Sequence, residues 1–521
     1  MLMPVVFGLW SGVPEPAVND EFVYLLGADT FANGRLTNPA PQLPEFFEAP
    51  HLLVTPTYAS KYPPAQSITL AIGQVFGGHP IWGVWLSCGL FAAALCWMLQ
   101  SCASPRWALA VTIVAIMTRG TSTYWAQSYW GGMVAAMGAA LVLGAVHRTL
   151  RVPSAAASVL MGLGLVILAN SRPFEGAILA AMIAPLLTWW LFASRRVPFR
   201  VKLLRCVVPC GCVLVAGGLW MALYNRSVTS SVLLQPYELH NRQYFGQGPF
   251  IFSELYEPER QPHPRVAEVY AVQRHPTARR AVLANEFVRN FLSRSQRSLE
   301  AAFTLTSSGD YEGEVKKSII WLALFVMVPM LGSRWAMFCG VAFLALSAGG
   351  AVTRWWFPHY SAPTVPLVLA LVAIGLRQLS LPVDRRRRAR LAPFAVATFV
   401  FAAVSLPAVR AIGAGRPGPD ERAPTMNREY VDPIRARARA LAQLDREPGK
   451  KLVFVNVASD SNHYEWVYNP ADLVATNVLF VHDLGDEKNR QLITLRSDRA
   501  PWLARLGQNN EVALTRYPPA Q

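Results

Sequence analysis

Long apolar runs, more than any single motif, limit what this chain can fold into. Ten can be read, at roughly 81–100, 107–118, 131–147, 155–169, 175–194, 204–224, 318–333, 335–352, 361–379 and 392–411. Repeated and nearly free of charge, they call for lipid as the solvent of the folded state. Several fall short of the ~20 residues that a perpendicular span requires. A short helix can still survive in a bundle where its end lines a wet cavity. Met1 to Trp10 is apolar but cannot cross a bilayer alone, and it reads as part of an incomplete first helix behind a truncated start. No secretory signal pattern is visible. The expectation is an α-helical polytopic membrane protein of about 10–11 transmembrane helices.

Charge sorts the gaps between the runs. Arg106, then His147, Arg148 and Arg151, then Arg195, Arg196, Arg200, Lys202 and Arg205, then Arg334, and finally Arg385 to Arg388 with Arg390 occupy every second gap. Basic loops stay in the cytoplasm. Residues 11–80, 119–130, 170–174, 225–317, 353–360 and the tail from 412 therefore face outward. This also accounts for the formal charge of +16 without nucleic acid as a partner, since no nucleic-acid module is present. Only 15% of residues are charged, against roughly 25% in a soluble domain. The seven cysteines all lie in or beside apolar runs, so no disulfide framework is expected in the outward loops. Cys206, Cys210 and Cys212 have no His or carboxylate nearby and read as small buried residues, not a metal cluster.

The chain divides into a membrane domain at 1–411, with external loops at 11–80 and 225–317, and an extracytoplasmic α/β domain at 412–521. In the tail, Arg428 to Leu444 is a charged helical stretch, and 452–455 and 478–481 read as buried strands. It shows neither a Gly-rich phosphate loop nor a nucleophile elbow. Within 225–317, residues 277–300 set Leu283, Phe287 and Phe291 against Arg279, Arg280, Arg289, Arg294 and Arg297. That pattern fits a basic amphipathic helix on the membrane surface, or a helix packed on the bundle.

Nearly every unusual polar cluster lies in the outward set. Asn19-Asp20-Glu21 opens a helix that stops at Asn33-Gly34, with Asn19 as N-cap and Asp20 sharing a face with Tyr24. A carboxylate there can serve the positive helix end, accept a proton from an incoming hydroxyl, or bind a metal. Lys61, before Tyr62-Pro63-Pro64, is a cation on a stiff extended turn that suits a phosphate. Arg172, with Glu175 as partner, has the same potential, or snorkels to the interface. Tyr237 and His240 lie in another cluster, 235–240. Arg354 and His359 flank the aromatic belt of Trp355, Trp356 and Phe357.

These residues resemble the GT-C glycosyltransferases, and in pattern the protein O-mannosyltransferases and aminoarabinose-type lipid A transferases. Asp20-Glu21 with Tyr24 is similar to their first-loop Asp-Glu pattern. Lys61-Tyr62-Pro63-Pro64 resembles their Lys-Pro-Pro turn with Tyr62 inserted, and Arg354 through His359-Tyr360 and Pro363 resembles their Arg-Tyr-x-x-Pro. The resemblance covers about 1–410. It implies an inverting glycosyltransferase that moves a sugar from a polyprenyl-phosphate donor to a glycan, lipid or protein acceptor, on the outer side of a bacterial inner membrane. Asp20 would be the catalytic base with Glu21 assisting. Lys61, Arg172, Arg354 and His359 would hold the donor phosphate, and Tyr24, Tyr62, Glu175, Tyr237, His240 and Tyr360 would line the site. A divalent metal is left open, because no ligand set of convincing spacing appears. A lipid or solute transporter is the alternative. It calls for midplane charges and an internal repeat, and neither is visible. A non-catalytic scaffold that uses the tail to bind a partner is the third reading.

Overall fold

The computed structural model describes residues 2–120, 123–274, 280–303, 333–380, 428–457, 465–507 and 511–518. Its first eight helices are α1 (Leu2–Ser11), α2 (Asn19–Ala32), α3 (Ala65–Gly77), α4 (Ile81–Leu99), α5 (Pro105–Arg119), α6 (Met133–Thr149), α7 (Ala155–Ala169) and α8 (Pro173–Phe192). A continuous helix Phe199–Thr229 follows, and later Arg280–Phe303, Arg334–Val352 and Thr364–Ser380. Eight of the ten apolar runs coincide with helices. The run 392–411 and all but the last residue of 318–333 lie outside the described residues. Among the described helices, α4, α8, Phe199–Thr229 and Arg334–Val352 are long and apolar enough to cross a membrane by length and composition. The architecture is that of a polytopic membrane protein.

Small residues let the bundle close. α6 buries Ala135, Ala136, Gly138, Ala139 and Ala140 in the main core, where short side chains allow close backbone approach. At the crossing of α3 and α4, a Cβ on Gly73 would lie 2.0 Å from the Gly83 backbone nitrogen, so only glycine fits. α2 is buried on two faces. Tyr24 and Ala28 pack with Leu70 and Trp85 of α3 and α4, while Val23 and Leu26 join a second core.

The two ends of the bundle differ. At one end Arg148 donates to the Trp97 carbonyl (2.6 Å), Arg151 to Ser101 (3.1 Å) and Arg377 to Cys102 (3.0 Å), while His147 stacks on Trp335. At the C-terminal end of α8, Lys202 Nζ donates to the carbonyls of Trp190, Leu191 and Ser194, which a cation satisfies well. The other end gathers α2, α3 and the segments 124–130, 170–175, 235–246 and 353–360. Helix Arg280–Phe303 packs on the bundle: Arg294 reaches inward to the carbonyls of Gly350 and Thr353, and Asn290 to Ala351. Arg294 thus clamps the helix to the bundle, while Arg289 and Arg297 stay exposed on its outer side with Val288 and Leu292.

Between α2 and α3, strands β1 (Asn38–Pro39), β2 (Leu52–Leu53) and β3 (Thr57–Ser60) form a small antiparallel sheet in the order β1-β3-β2. The C-terminal region has helix Arg428–Asp445, β4 (Lys450–Val457), β5 (Val478–His482), helix Asp486–Leu495, β6 (Arg499–Leu506) and β7 (Val512–Arg516). The sheet order is β5-β4-β6-β7, with β4 parallel to both neighbours and β7 antiparallel. This region docks on the polar end of the bundle. Tyr468 donates to the Pro50 carbonyl (3.0 Å), His482 Nε2 meets the Glu48 carbonyl (2.6 Å), and the Ala471 amide donates to Asp29 (2.8 Å). Tyr468 also stacks on Phe22 of α2, and Arg437 lies between Phe22 and Phe480. Phe46, Phe47 and Leu52 share one core with Phe454 and Leu479.

Candidate active site

α2 begins by turning its two acids in opposite directions. The N-cap is Val18, not Asn19, and no side chain caps the helix there. Glu21 folds back instead: Oε2 accepts from the amides of Ala17 (2.6 Å) and Val18 (3.2 Å), and Oε1 accepts from Tyr129 (2.8 Å). Burial pushes its carboxyl up to about 7 against the pull of those amides. Glu21 thus welds α2 to the 124–130 segment and stands outside the cavity described below. Glu21→Ala is expected to cost about 1–3 kcal/mol of stability by orphaning those donors. Thermal unfolding in detergent checks this; an unchanged Tm would deny the weld.

Asp20 faces the other way. Its Oδ1 accepts from the Tyr62 hydroxyl and lies 3.6 Å from His51 Nε2, while Oδ2 has no partner among the described residues. Burial raises its carboxyl above the usual range; the Tyr62 hydrogen bond and the nearby Lys61 and Arg172 charges oppose the rise. Tyr24, one turn on, stacks on Tyr62 with ring centroids 4.8 Å apart.

The cations come from two loops that are tied together. Lys61 leaves β3 with its amide donating to the His51 carbonyl (3.2 Å). Pro63-Pro64 then starts α3, where the Ala65 amide donates to Asn170 (2.9 Å). That bond brings the α7–α8 loop, and Arg172 with it, beside Lys61. Lys61 Nζ lies 5.3 Å from the ring centre of Tyr62 and 5.0 Å from that of Tyr237. Burial pushes Lys61 down to about 7, with Asp20 pulling the other way. The Arg172 guanidinium sits 4.0 Å over the Tyr360 ring, an attractive cation–π arrangement. Neither cation makes a hydrogen bond or ion pair with a described residue.

These groups surround a cavity of about 590 Å³. Asp20, Tyr24, Lys61, Tyr62, Arg172, Glu175, Tyr237 and Tyr360 all line it, joined by His51, Asn19, Gln235, Asn241 and Trp355. Four expected residues do not. Arg354 donates to the carbonyls of Phe250 (2.8 Å) and Ser253 (2.7 Å), pinning that turn. His359, 2% exposed, lies in an aromatic cluster with Tyr124 and Trp130. His240 is fully buried, its Nε2 2.8 Å from the Tyr270 hydroxyl, and Glu21 is the fourth. Arg354, His359 and His240 each meet a partner more than 25 residues away in sequence, and Glu21 is taken by the backbone amides of Ala17, Val18 and Tyr129. His51 is the residue that the sequence reading missed, a lone histidine with no patterned neighbour. Among the described residues no three His, Cys, Asp or Glu side chains gather to hold a metal. Lys61 and Arg172 beside Asp20 also oppose a further cation, so these residues do not fit a resident metal.

No protein-family model and no curated protein matches the chain. Among solved structures it is similar to ArnT from Cupriavidus metallidurans bound to undecaprenyl phosphate. The identity is 14% and the TM-score 0.52, over 97% of this chain and 91% of that one. The chain has the ArnT fold. The apo state of the same ArnT matches with a TM-score of 0.50 at 14% identity, over 96% and 90% of the two chains. AglB from Archaeoglobus fulgidus, in complex with an inhibitory peptide and a dolichol-phosphate, is 12% identical over 97% and 69% of the two chains, with a TM-score of 0.47. Coverage of 97% takes the match to ArnT into the C-terminal region, beyond the 1–410 over which the motifs carried the resemblance.

Proposed function

We propose that this chain is an inverting glycosyltransferase that takes a sugar from a polyprenyl-phosphate donor. One observation carries the reading: a carboxylate and two cations that form no ion pair with a described residue line one cavity at the polar end of an apolar bundle. The donor tail dissolves in lipid, and its phosphate rests between Lys61 and Arg172. As the bond from the anomeric carbon to the phosphate oxygen breaks, these cations stabilise the charge left on the phosphate. Asp20 Oδ2 takes the proton of the acceptor hydroxyl, whose oxygen bonds to the opposite face of that carbon. A single displacement inverts the centre. Glu175, Tyr237 and Tyr360 line the sugar's surroundings, while Glu21, His240, Arg354 and His359 hold the walls. That the ArnT of the same fold was solved with undecaprenyl phosphate agrees with a lipid phosphate as leaving group.

Membranes containing the protein, supplied with labelled polyprenyl-phosphate sugars, are expected to release free polyprenyl phosphate and label an acceptor. Movement of intact donor without cleavage would replace this reading with a carrier.

The cavity opens on the side opposite the basic loops, which supports a site on the non-cytoplasmic side of a bacterial inner membrane. A cysteine in place of exposed Glu257 should react with a membrane-impermeant thiol reagent in intact cells. One in place of exposed Arg196, at the other end, should not. The reverse labelling pattern would turn the molecule over.

A further inference from the structure

We infer that His51 is a positioning residue for Asp20, held in a strained backbone conformation so that its imidazole supports the carboxylate from behind. The inference rests on the glycosyltransferase reading and names a residue that this reading does not require. His51 has φ of 69°, in the left-handed region that only a few per cent of non-glycine residues occupy, Asn, Asp and His more often than the rest, and that costs free energy. The strain persists because the surroundings fix the backbone on both sides. The His51 amide donates to the Tyr270 hydroxyl (2.8 Å), and its carbonyl accepts from Lys61 (3.2 Å). The C-terminal region grips the same loop through Tyr468 on Pro50 and His482 on Glu48.

The strain has a visible result. It turns Nε2 to within 3.6 Å of Asp20 Oδ1, the oxygen that already accepts from Tyr62. At that length the contact is not yet a hydrogen bond, but contacts of this kind tighten when substrate fills the site. Nδ1 is buried with no partner among the described residues. The tautomer that leaves a lone pair there and an N–H on Nε2, aimed at the carboxylate, is therefore the better satisfied. Burial holds the ring neutral, well below its ordinary range, with Lys61 adding to the effect. His51 is therefore placed to donate to Asp20 once the contact tightens, and not to carry its proton away. Other titratable groups face this pair: Lys61, Tyr62 and Arg172 around the carboxylate, and His240 and Tyr270 beside the imidazole.

The test uses the full-length protein in membranes, with His51→Gly and His51→Asn. Both residues accept φ near 69°, so the fold is kept while the donor is removed or altered. Turnover of His51→Gly should fall roughly 10–10²-fold. The acid limb of its pH–rate profile should move about one unit upward, because a carboxylate that loses a donor is harder to ionise. Added imidazole should restore part of the rate in His51→Gly alone. Wild-type turnover with an unmoved acid limb would overturn the inference. So would a loss that follows Tm in both variants and ignores imidazole. Infrared titration of the Asp20 carboxyl, free of any turnover, separates the two readings. If the wild type shows no transfer, the glycosyltransferase reading fails, yet the carboxyl must still titrate higher in His51→Gly for this inference to stand.

Discussion

Asp20→Asn is expected to lower sugar transfer by roughly 10²–10⁴-fold, the usual effect of removing a general base, with donor binding and Tm kept. Asn has the size of Asp, and its side-chain oxygen can still accept from Tyr62, as Asp20 Oδ1 does. It cannot take the proton of an acceptor hydroxyl. Helix capping offers no competing account, because Asp20 makes no cap bond at the start of α2. The burial of Asp20 favours the variant slightly, since a neutral amide escapes the cost of a desolvated charge. Stability should therefore hold or rise by about 1 kcal/mol while turnover collapses. Release of polyprenyl phosphate, measured beside donor binding and thermal unfolding, decides the matter. Full turnover by Asp20→Asn would remove the catalytic assignment, and a joint loss of Tm and activity would make the residue structural.

Arg172→Ala is expected to lower kcat/KM for the donor roughly 10²–10³-fold, comparable to losing one preorganised donor at a developing negative charge. Arg172→Lys should recover little, because an ammonium cannot reproduce two parallel bonds to a phosphate or lie flat on Tyr360 as the guanidinium does. Lys61 supplies the second cation and a pH signature. With its ammonium pushed down to about 7 in the empty site, a bound phosphate must raise it again. Donor affinity should then be level below about pH 7 and weaken as the pH rises above it. Lys61→Ala should be weaker throughout and lose that slope. Binding of a polyprenyl-phosphate sugar to solubilised protein, followed from pH 6 to 9, reads both effects. Unchanged affinity in Arg172→Ala and Lys61→Ala together would leave the two cations as interfacial anchors.

The helices were legible because lipid imposes a length and a composition, and the sidedness of the polar groups followed from the charge of alternate loops. Asp20, Lys61 and Arg172 were legible because each stands beside a turn, a Pro or a helix start that gives its charge a fixed place. Arg354 and His359 looked equivalent to them in sequence. Only the tertiary structure shows that the carbonyls of Phe250 and Ser253 occupy the first and that Tyr124 and Trp130 pack around the second. Glu21 illustrates the same limit at one residue's distance from Asp20, since helical geometry turns neighbours about 100° apart. β6 escaped notice because Arg499 and Pro501 interrupt its apolar pattern, although pairing with β4 carries it through. His51 offered no pattern at all, and its place depends on a backbone angle that composition does not encode.

The grip of Tyr468 and His482 on the loop before His51 also bears on how the protein is made. A ribosome delivers the membrane bundle well before it delivers those two residues, so the helices can be inserted while the loop behind Asp20 still lacks its brace. Until the last strands fold, a nascent chain carries Asp20 without that brace, and a chain clipped before Tyr468 stays in that state. On the proposed roles of Asp20 and His51, full turnover would then wait for the C-terminal sheet to fold, so that the last part of the chain to be made completes the site.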